Sequence, residues 1–200
     1  RQSIKIYSGT QSVSNFRPTA AKLIYERFGG DGVVWDMSCG WGGRLLGFLS
    51  AKNTKHYIGT EPSTKTFNGL KKMSKDFHYI NKKVDIYKQG SETFQPESES
   101  LDLCFTSPPY FDTEKYSDEE SQSYKKFPTQ DEWVNGFLKQ TIKNCYIGLK
   151  QGGYMLYNIA NTPKYKFIEE QTQEISKSLG FVQDKTIELT LSSVMGAGHK

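Results

Sequence analysis

Short apolar stretches, each ended by an acid, a glycine or a proline and each followed by an amphipathic stretch of helical period, run through most of the chain. That alternation constrains the fold most, because parallel strands cannot be joined by tight turns and need a crossover element between them. Gly32–Met37, His56–Thr60, Lys83–Gln89, Leu101–Thr106, Gly152–Ala160 and Phe181–Leu191 read as six strands. Pro18 opens a helix with Ala21, Leu23, Ile24 and Phe28 on its apolar stripe and Gly29-Gly30 as its stop. Another starts at the glycines after the first strand, and a third follows Pro62 with Phe67, Leu70, Met73 and Phe77 on one face. Thr129 and Glu132 make a capping-box pattern ahead of a helix that buries Trp133, Phe137, Ile142, Tyr146 and Leu149. A last helix runs from Pro163 to Leu179 and closes at Gly180. The expectation is an α/β fold: a doubly wound, mostly parallel sheet flanked by helices, with ligands beyond the C-terminal strand ends.

Two turns carry chemistry. In Trp35–Gly47, WDMSCGWGGRLLG, Asp36 ends the first strand and Gly40, Gly42 and Gly43 allow a ligand to approach the backbone closely. A dinucleotide-binding turn would carry a third glycine at position 45, which is Leu45, so a pyrophosphate site is disfavoured. Glu61 closes the second strand, where a carboxylate accepts both hydroxyls of a ribose. In Leu101–Glu114, LDLCFTSPPYFDTE, Pro108-Pro109 ends the fourth strand by removing two donors and fixing two φ angles. The run Phe111–Pro128 that follows has no clear period and holds five acids within Asp112–Glu120, the composition of a lid, a partner-binding loop or a mobile surface loop.

Bulk properties narrow the class. With 200 residues, 36% hydrophobic and 14% aromatic, the chain is globular and reads as one domain. No apolar run reaches the roughly 18 residues of a membrane span. Cys39, Cys104 and Cys145 are odd in number and form no CxxC pair, which suits a reducing, cytoplasmic compartment and argues against a zinc site. Net charge is +4, and Ala51–Lys88 holds nine lysines against Glu61, Asp76 and Asp85, a phosphate-facing surface or simply a solvated helix. The first residue is arginine, so the native N-terminus is expected to lie upstream.

Taken together, DMSCGWGG (Asp36–Gly43), GTEPS (Gly59–Ser63), TSPPYF (Thr106–Phe111) and an entry segment NFRP (Asn15–Pro18) resemble the S-adenosylmethionine-dependent DNA methyltransferases of exocyclic amines, the cytosine-N4 and adenine-N6 family. The resemblance covers Phe16 to about Leu191, in the motif order of the family's γ group. It implies a Rossmann-like class I methyltransferase fold, S-adenosyl-L-methionine as cofactor, DNA with a flipped base as partner, and a place in DNA methylation of the restriction-modification kind. Carried over by position, Phe16, Arg17 and Pro18 border the cofactor, Gly40 and Gly42 line its methionine part beside Ser38 and Cys39, Asp36 lies near its amino group, and Glu61 with Pro62 holds the ribose. Met37-Ser38 replaces the family's commoner Pro-Phe, and Ser91 and Glu92 fall where an adenine-side acid is usual, without a clean match.

The resemblance makes Ser107, Pro108, Pro109 and Tyr110 the catalytic set. An exocyclic amine is a poor nucleophile because its lone pair is conjugated into the ring. The Ser107 hydroxyl and Pro108 carbonyl would accept its two N–H groups and aim that lone pair, while Tyr110 stacks on the flipped base. Serine at the first position goes with cytosine N4 in the family. Phe111 would cover the base or wedge the gap it leaves, and Lys125 and Lys126 would face DNA phosphate. Alternatives are adenine N6, an RNA or protein amine, and a non-catalytic subunit of the same fold. There is no Pro-Cys pair, so a covalent carbon-5 mechanism is disfavoured. The γ order usually adds a target-recognition domain after the last core strand; none is visible in 1–200, so the expectation is rudimentary recognition, a missing segment or a recognition partner.

Overall fold

A computed structural model describes residues 15–111, 117–162 and 164–189. Helix α1 (Pro18–Phe28) precedes β1 (Val33–Asp36), α2 (Gly43–Ser50), β2 (His56–Thr60), α3 (Thr64–Asp76), β3 (Lys83–Tyr87) and β4 (Leu101–Thr106). Then come the short helices α4 (Ser123–Lys126) and α5 (Gln130–Trp133), a wide π turn (Val134–Leu138), α6 (Lys139–Gly148), β5 (Leu149–Tyr157) and α7 (Ile168–Leu179). The five strands form one sheet in the order β3-β2-β1-β4-β5, and every pairing is parallel. The expected doubly wound α/β architecture is therefore present.

The central strands are apolar throughout because both faces are covered. Val34, Leu103 and Phe105 pack with Tyr25, Phe48, Tyr57 and Leu70 under α1, α2 and α3. Trp35 and Cys104 point to the other face and meet Cys145 of α6, while Trp133, Phe137, Ile142 and Ile168 build a third cluster beside it. The chain reverses direction across the sheet between β1 and β4, paired at Val34–Leu103 and Trp35–Cys104. That reversal opens the crevice in which such sheets bind ligands, and it brings the glycine turn after β1 and the Pro-Pro loop after β4 side by side.

Three expectations are corrected. Positions 181–189 form no strand: they are irregular and mostly exposed, and no described strand pairs with the outer edge of β5. Alternating, β-branched sequence supplies propensity only, and a strand needs a partner to satisfy its backbone. Leu23 is exposed, and Tyr25 takes its place in the core. At about 100° per residue, positions 21, 25 and 28 share a face while 23 lies nearly opposite 21. Tyr146 is half exposed against the Phe181 ring, and Cys145, three residues after the buried Ile142, takes the core position instead. The capping box is formed as expected: the Glu132 N–H donates to Thr129 Oγ1 at 3.3 Å, and the Thr129 N–H to Glu132 Oε2 at 3.1 Å. Residues 112–116, Pro163 and the end of the expected sixth strand lie outside the described residues.

Candidate functional site

The glycine turn is pinned from below by a buried ion pair. Asp36 Oδ2 accepts from Arg44 Nε at 2.9 Å and from the Tyr57 hydroxyl at 2.8 Å, and Oδ1 accepts from the Ser38 N–H at 3.3 Å. Arg44 also donates to the Ser38 carbonyl and lies over the rings of Phe16 and Phe105. Burial works against its charge, but the adjacent Asp36 carboxylate outweighs burial and lifts the guanidinium above its usual range. A charge-assisted bond between two such buried groups is stiff, so the turn is held by its own first and last residues. The Asp36 carboxylate thus serves the turn itself. The Cys39 thiol is likewise turned inward, 3.4 Å from the Tyr57 oxygen, and burial raises its pKa. The Asp36 and Cys39 side chains are thus engaged within the fold, and the glycines of the turn present bare backbone.

That backbone is shaped for close approach. Gly40 and Gly42 have φ of +54° and +85°, and a Cβ on Gly40 would meet nothing closer than the Ser38 carbonyl at 4.0 Å. The entry segment closes one side. Asn15 Oδ1 accepts the Gly43 N–H at 3.2 Å, Phe16 stands edge-on to Phe105 with centroids 5.4 Å apart, and Pro18 begins α1 directly after Arg17. The NFRP segment, the glycine turn and β4 are thereby brought together.

Glu61 faces the turn from the end of β2. Its Oε2 accepts the Gly40 N–H at 3.1 Å and its Oε1 the Ser63 N–H at 2.9 Å. Only 8% of the residue is exposed. Burial raises its pKa, the two N–H bonds pull it down, Asp36 adds repulsion, and the net value is about 7. Each carboxylate oxygen can accept two hydrogen bonds and here accepts one, so both retain a free lone pair.

Across the crevice, Ser107 is tied to Asn158, one residue beyond β5. The Ser107 hydroxyl donates to the Asn158 carbonyl at 3.4 Å and accepts from Asn158 Nδ2 at 3.1 Å, and the Asn158 N–H donates to Thr106 at 2.9 Å. A hydroxyl has one donor and two acceptor positions, so one lone pair stays free. The Tyr110 hydroxyl accepts the Ala160 N–H at 3.0 Å, which fixes its ring. Phe111, with φ of +45°, packs on Trp133 at 6.2 Å. Asn158 and Ala160 went unnoticed in the sequence. Their signal is positional, since residues just past a strand paired with β4 must border the Pro-Pro loop.

The two lysines expected near phosphate are engaged within the chain. Lys125 pairs with the exposed Glu120 at 2.9 Å, and Lys126 with the buried Glu92 at 2.7 Å. Glu92, which had no clean role in sequence, therefore anchors the loop after β4. Among the described residues, no cluster of His, Cys, Asp or Glu is arranged to hold a metal ion, and no helix is long and apolar enough to cross a membrane.

No family model matches the chain, and neither does any curated protein sequence. Its fold, however, recurs among solved structures. A SAM-dependent O-methyltransferase from Thermotoga maritima superposes with a TM-score of 0.57 at 16% identity, over 90% of this chain and 56% of that one. The [4+2]-cyclase SpnF gives 0.56 at 14%, over 82% and 57%. The mycolic acid cyclopropane synthase CmaA1 gives 0.50 at 14%, over 74% and 47%. This chain thus spans roughly half of each of these proteins. The likeness establishes a Rossmann-like fold of the class I methyltransferase type.

Proposed function

We propose that the chain transfers a methyl group from S-adenosyl-L-methionine to an exocyclic amine of a DNA base, cytosine N4, drawn out of the duplex. One observation carries this reading: the β1–β4 pairing sets an open glycine turn, with a ribose-type acid behind it, against a rigid loop that ends in free acceptors. The cofactor fits the residues present. Gly40 leaves an uncrowded cradle, and the two free lone pairs of Glu61 match the two hydroxyls of a ribose. Bound there, S-adenosyl-L-methionine supplies an electrophilic sulfonium methyl. Phe16 and Pro18 close the outer wall of that site, and Pro62 continues it past Glu61.

The loop after β4 handles the amine. The free lone pair of Ser107 and the Pro108 carbonyl accept its N–H groups, and Pro109 removes a competing donor and stiffens the pair. A neutral hydroxyl is no base at neutral pH, so Ser107 orients the amine and does not take its proton; the methylated amine is cationic and releases that proton to water. Tyr110, anchored at Ala160, offers a flat face for stacking. All three thiols are buried, which supports direct transfer without a covalent enzyme intermediate. On the DNA side, Lys125, whose partners Glu120 and the Asp118 carbonyl lie at the surface, can exchange them for a phosphate, whereas Lys126 holds the loop.

The test is incubation with methyl-labelled cofactor and duplex DNA, followed by nucleoside analysis. Label in N4-methylcytosine is expected. Label in N6-methyladenine moves the target base, and label in RNA or protein alone overturns the DNA assignment. Ser107→Ala should lose transfer on the order of 100-fold while still binding S-adenosylhomocysteine.

A further inference from the structure

Residues 117–126 are fastened across the ends of two neighbouring strands. At the β2 end, Glu119 accepts from the Thr64 N–H at 2.9 Å, from Thr64 Oγ1 at 2.6 Å and from Ser63 Oγ at 3.3 Å, and Ser121 Oγ donates to the Pro62 carbonyl at 3.1 Å. The Ser63 side chain, in the N-cap position of α3, makes no cap bond of its own, so Glu119 serves as a cap delivered from another part of the chain. At the β3 end, Lys126 holds Glu92, which sits on a turn that Asn144 of α6 grips by the carbonyls of Ser91 and Glu92. The Glu61 N–H donates to the Tyr87 carbonyl at 3.1 Å, so these two strand ends touch. Glu61 lies between the fastening points.

Between them sits Gln122, 7% exposed, whose Nε2 has no hydrogen-bond partner. A buried amide donor left unpaired keeps its desolvation cost uncompensated, and native proteins rarely keep one without a use for it. Its backbone is fully engaged: the N–H donates to Glu119, and the carbonyl accepts from Lys125 and Lys126. The backbone at Gln122 is therefore fixed, while its buried side-chain amide has no acceptor among the described residues.

We propose that residues 117–126 form a strap over the nucleoside half of the cofactor site and that Gln122 is the strap's contact with the bound cofactor, donating its amide to a ring nitrogen or ribose oxygen. This rests on the cofactor reading above, and it adds a binding residue that neither the glycine turn nor Glu61 suggests. Because the strap is tied on both sides of the site, cofactor exchange requires the Glu119 or Lys126 tie to release.

Calorimetric binding of S-adenosylhomocysteine and of adenosine, each to the wild type, Gln122→Met and Glu119→Gln, tests it. Gln122→Met keeps the volume and removes the donor. Both ligands should bind about 3- to 10-fold more weakly, while the ligand-free Tm is unchanged or higher. Glu119→Gln should speed ligand dissociation measured by stopped flow. If Gln122→Met binds within twofold of wild type, or loses affinity only in step with a fall in ligand-free Tm, the contact is wrong although the cofactor reading survives. If the wild type itself binds neither ligand, the cofactor reading fails and the strap assignment falls with it.

Discussion

On the proposed ribose contact, Glu61 makes cofactor affinity depend on pH in a calculable way. Its pKa of about 7 in the ligand-free protein lies well above the ordinary 4.5, chiefly because the carboxylate is buried. A displacement of about 2.5 pH units corresponds to about 3 kcal/mol by which the fold disfavours the charged form. Ribose hydroxyls donate to that charged form, so binding pulls the pKa down and releases a proton wherever Glu61 starts protonated. With a ligand-free pKa near 7, affinity at pH 6 is about tenfold weaker than at pH 8, and it levels off above pH 8. The same displacement sets a sign for stability. Between about pH 4.5 and 7 the folded state holds a proton that the unfolded chain has lost, so the ligand-free protein loses stability as pH rises through that window. The assay is calorimetric titration with S-adenosylhomocysteine from pH 5.5 to 8.5 in buffers of different ionisation enthalpy. Glu61→Gln is the control that subtracts the ligand's own amino group. Flat wild-type affinity from pH 6 to 8, or an identical slope in Glu61→Gln, would refute the reasoning.

Arg44→Met strips the partner from a fully buried Asp36 carboxylate. It should destabilise the fold by about 3–5 kcal/mol in urea melts, with the loss reduced when Asp36→Asn is combined with it. Gly42→Ala places a Cβ 2.9 Å from Met73 at a φ of +85°, so it should lower Tm and weaken S-adenosylhomocysteine binding together.

Strand positions and the order of chemistry-bearing turns were legible because both depend on local pattern. β2 and β4 fall at His56–Thr60 and Leu101–Thr106 as read, and Thr129 with Glu132 caps α5 as its spacing demands. The pairing of polar groups was not legible. Asp36 reads as a cofactor acid until Arg44, eight residues on, is seen folded back beneath the turn, at a distance set by the length of the turn. Glu119 reads only as one acid of an aperiodic run and Lys126 as a phosphate contact, and their partners Thr64 and Glu92 lie 55 and 34 residues away. Tyr146 failed for a different reason: positions three and four residues after the buried Ile142 both border its face, and the core takes Cys145 rather than Tyr146.

Position 107 shows why serine stands where an acid is the stronger acceptor. Its side chain faces a donor, Asn158 Nδ2 at 3.1 Å, and an acceptor, the Asn158 carbonyl at 3.4 Å, and only a group that both gives and takes a hydrogen bond suits the two. An ionised aspartate satisfies the first and is repelled by the second, so it must turn away or stay protonated, and either outcome removes the acceptor aimed at the amine. Ser107→Asp should therefore lose methyl transfer about as fully as Ser107→Ala, and its Tm should fall as pH rises above the ordinary aspartate range. Ser107→Thr, which keeps the hydroxyl, should retain activity. Asn158→Ala removes the orienting amide but leaves the carbonyl, so it should weaken transfer without restoring Ser107→Asp. A Ser107→Asp protein that transfers methyl groups at the wild-type rate would show that Asn158 does not select the hydroxyl.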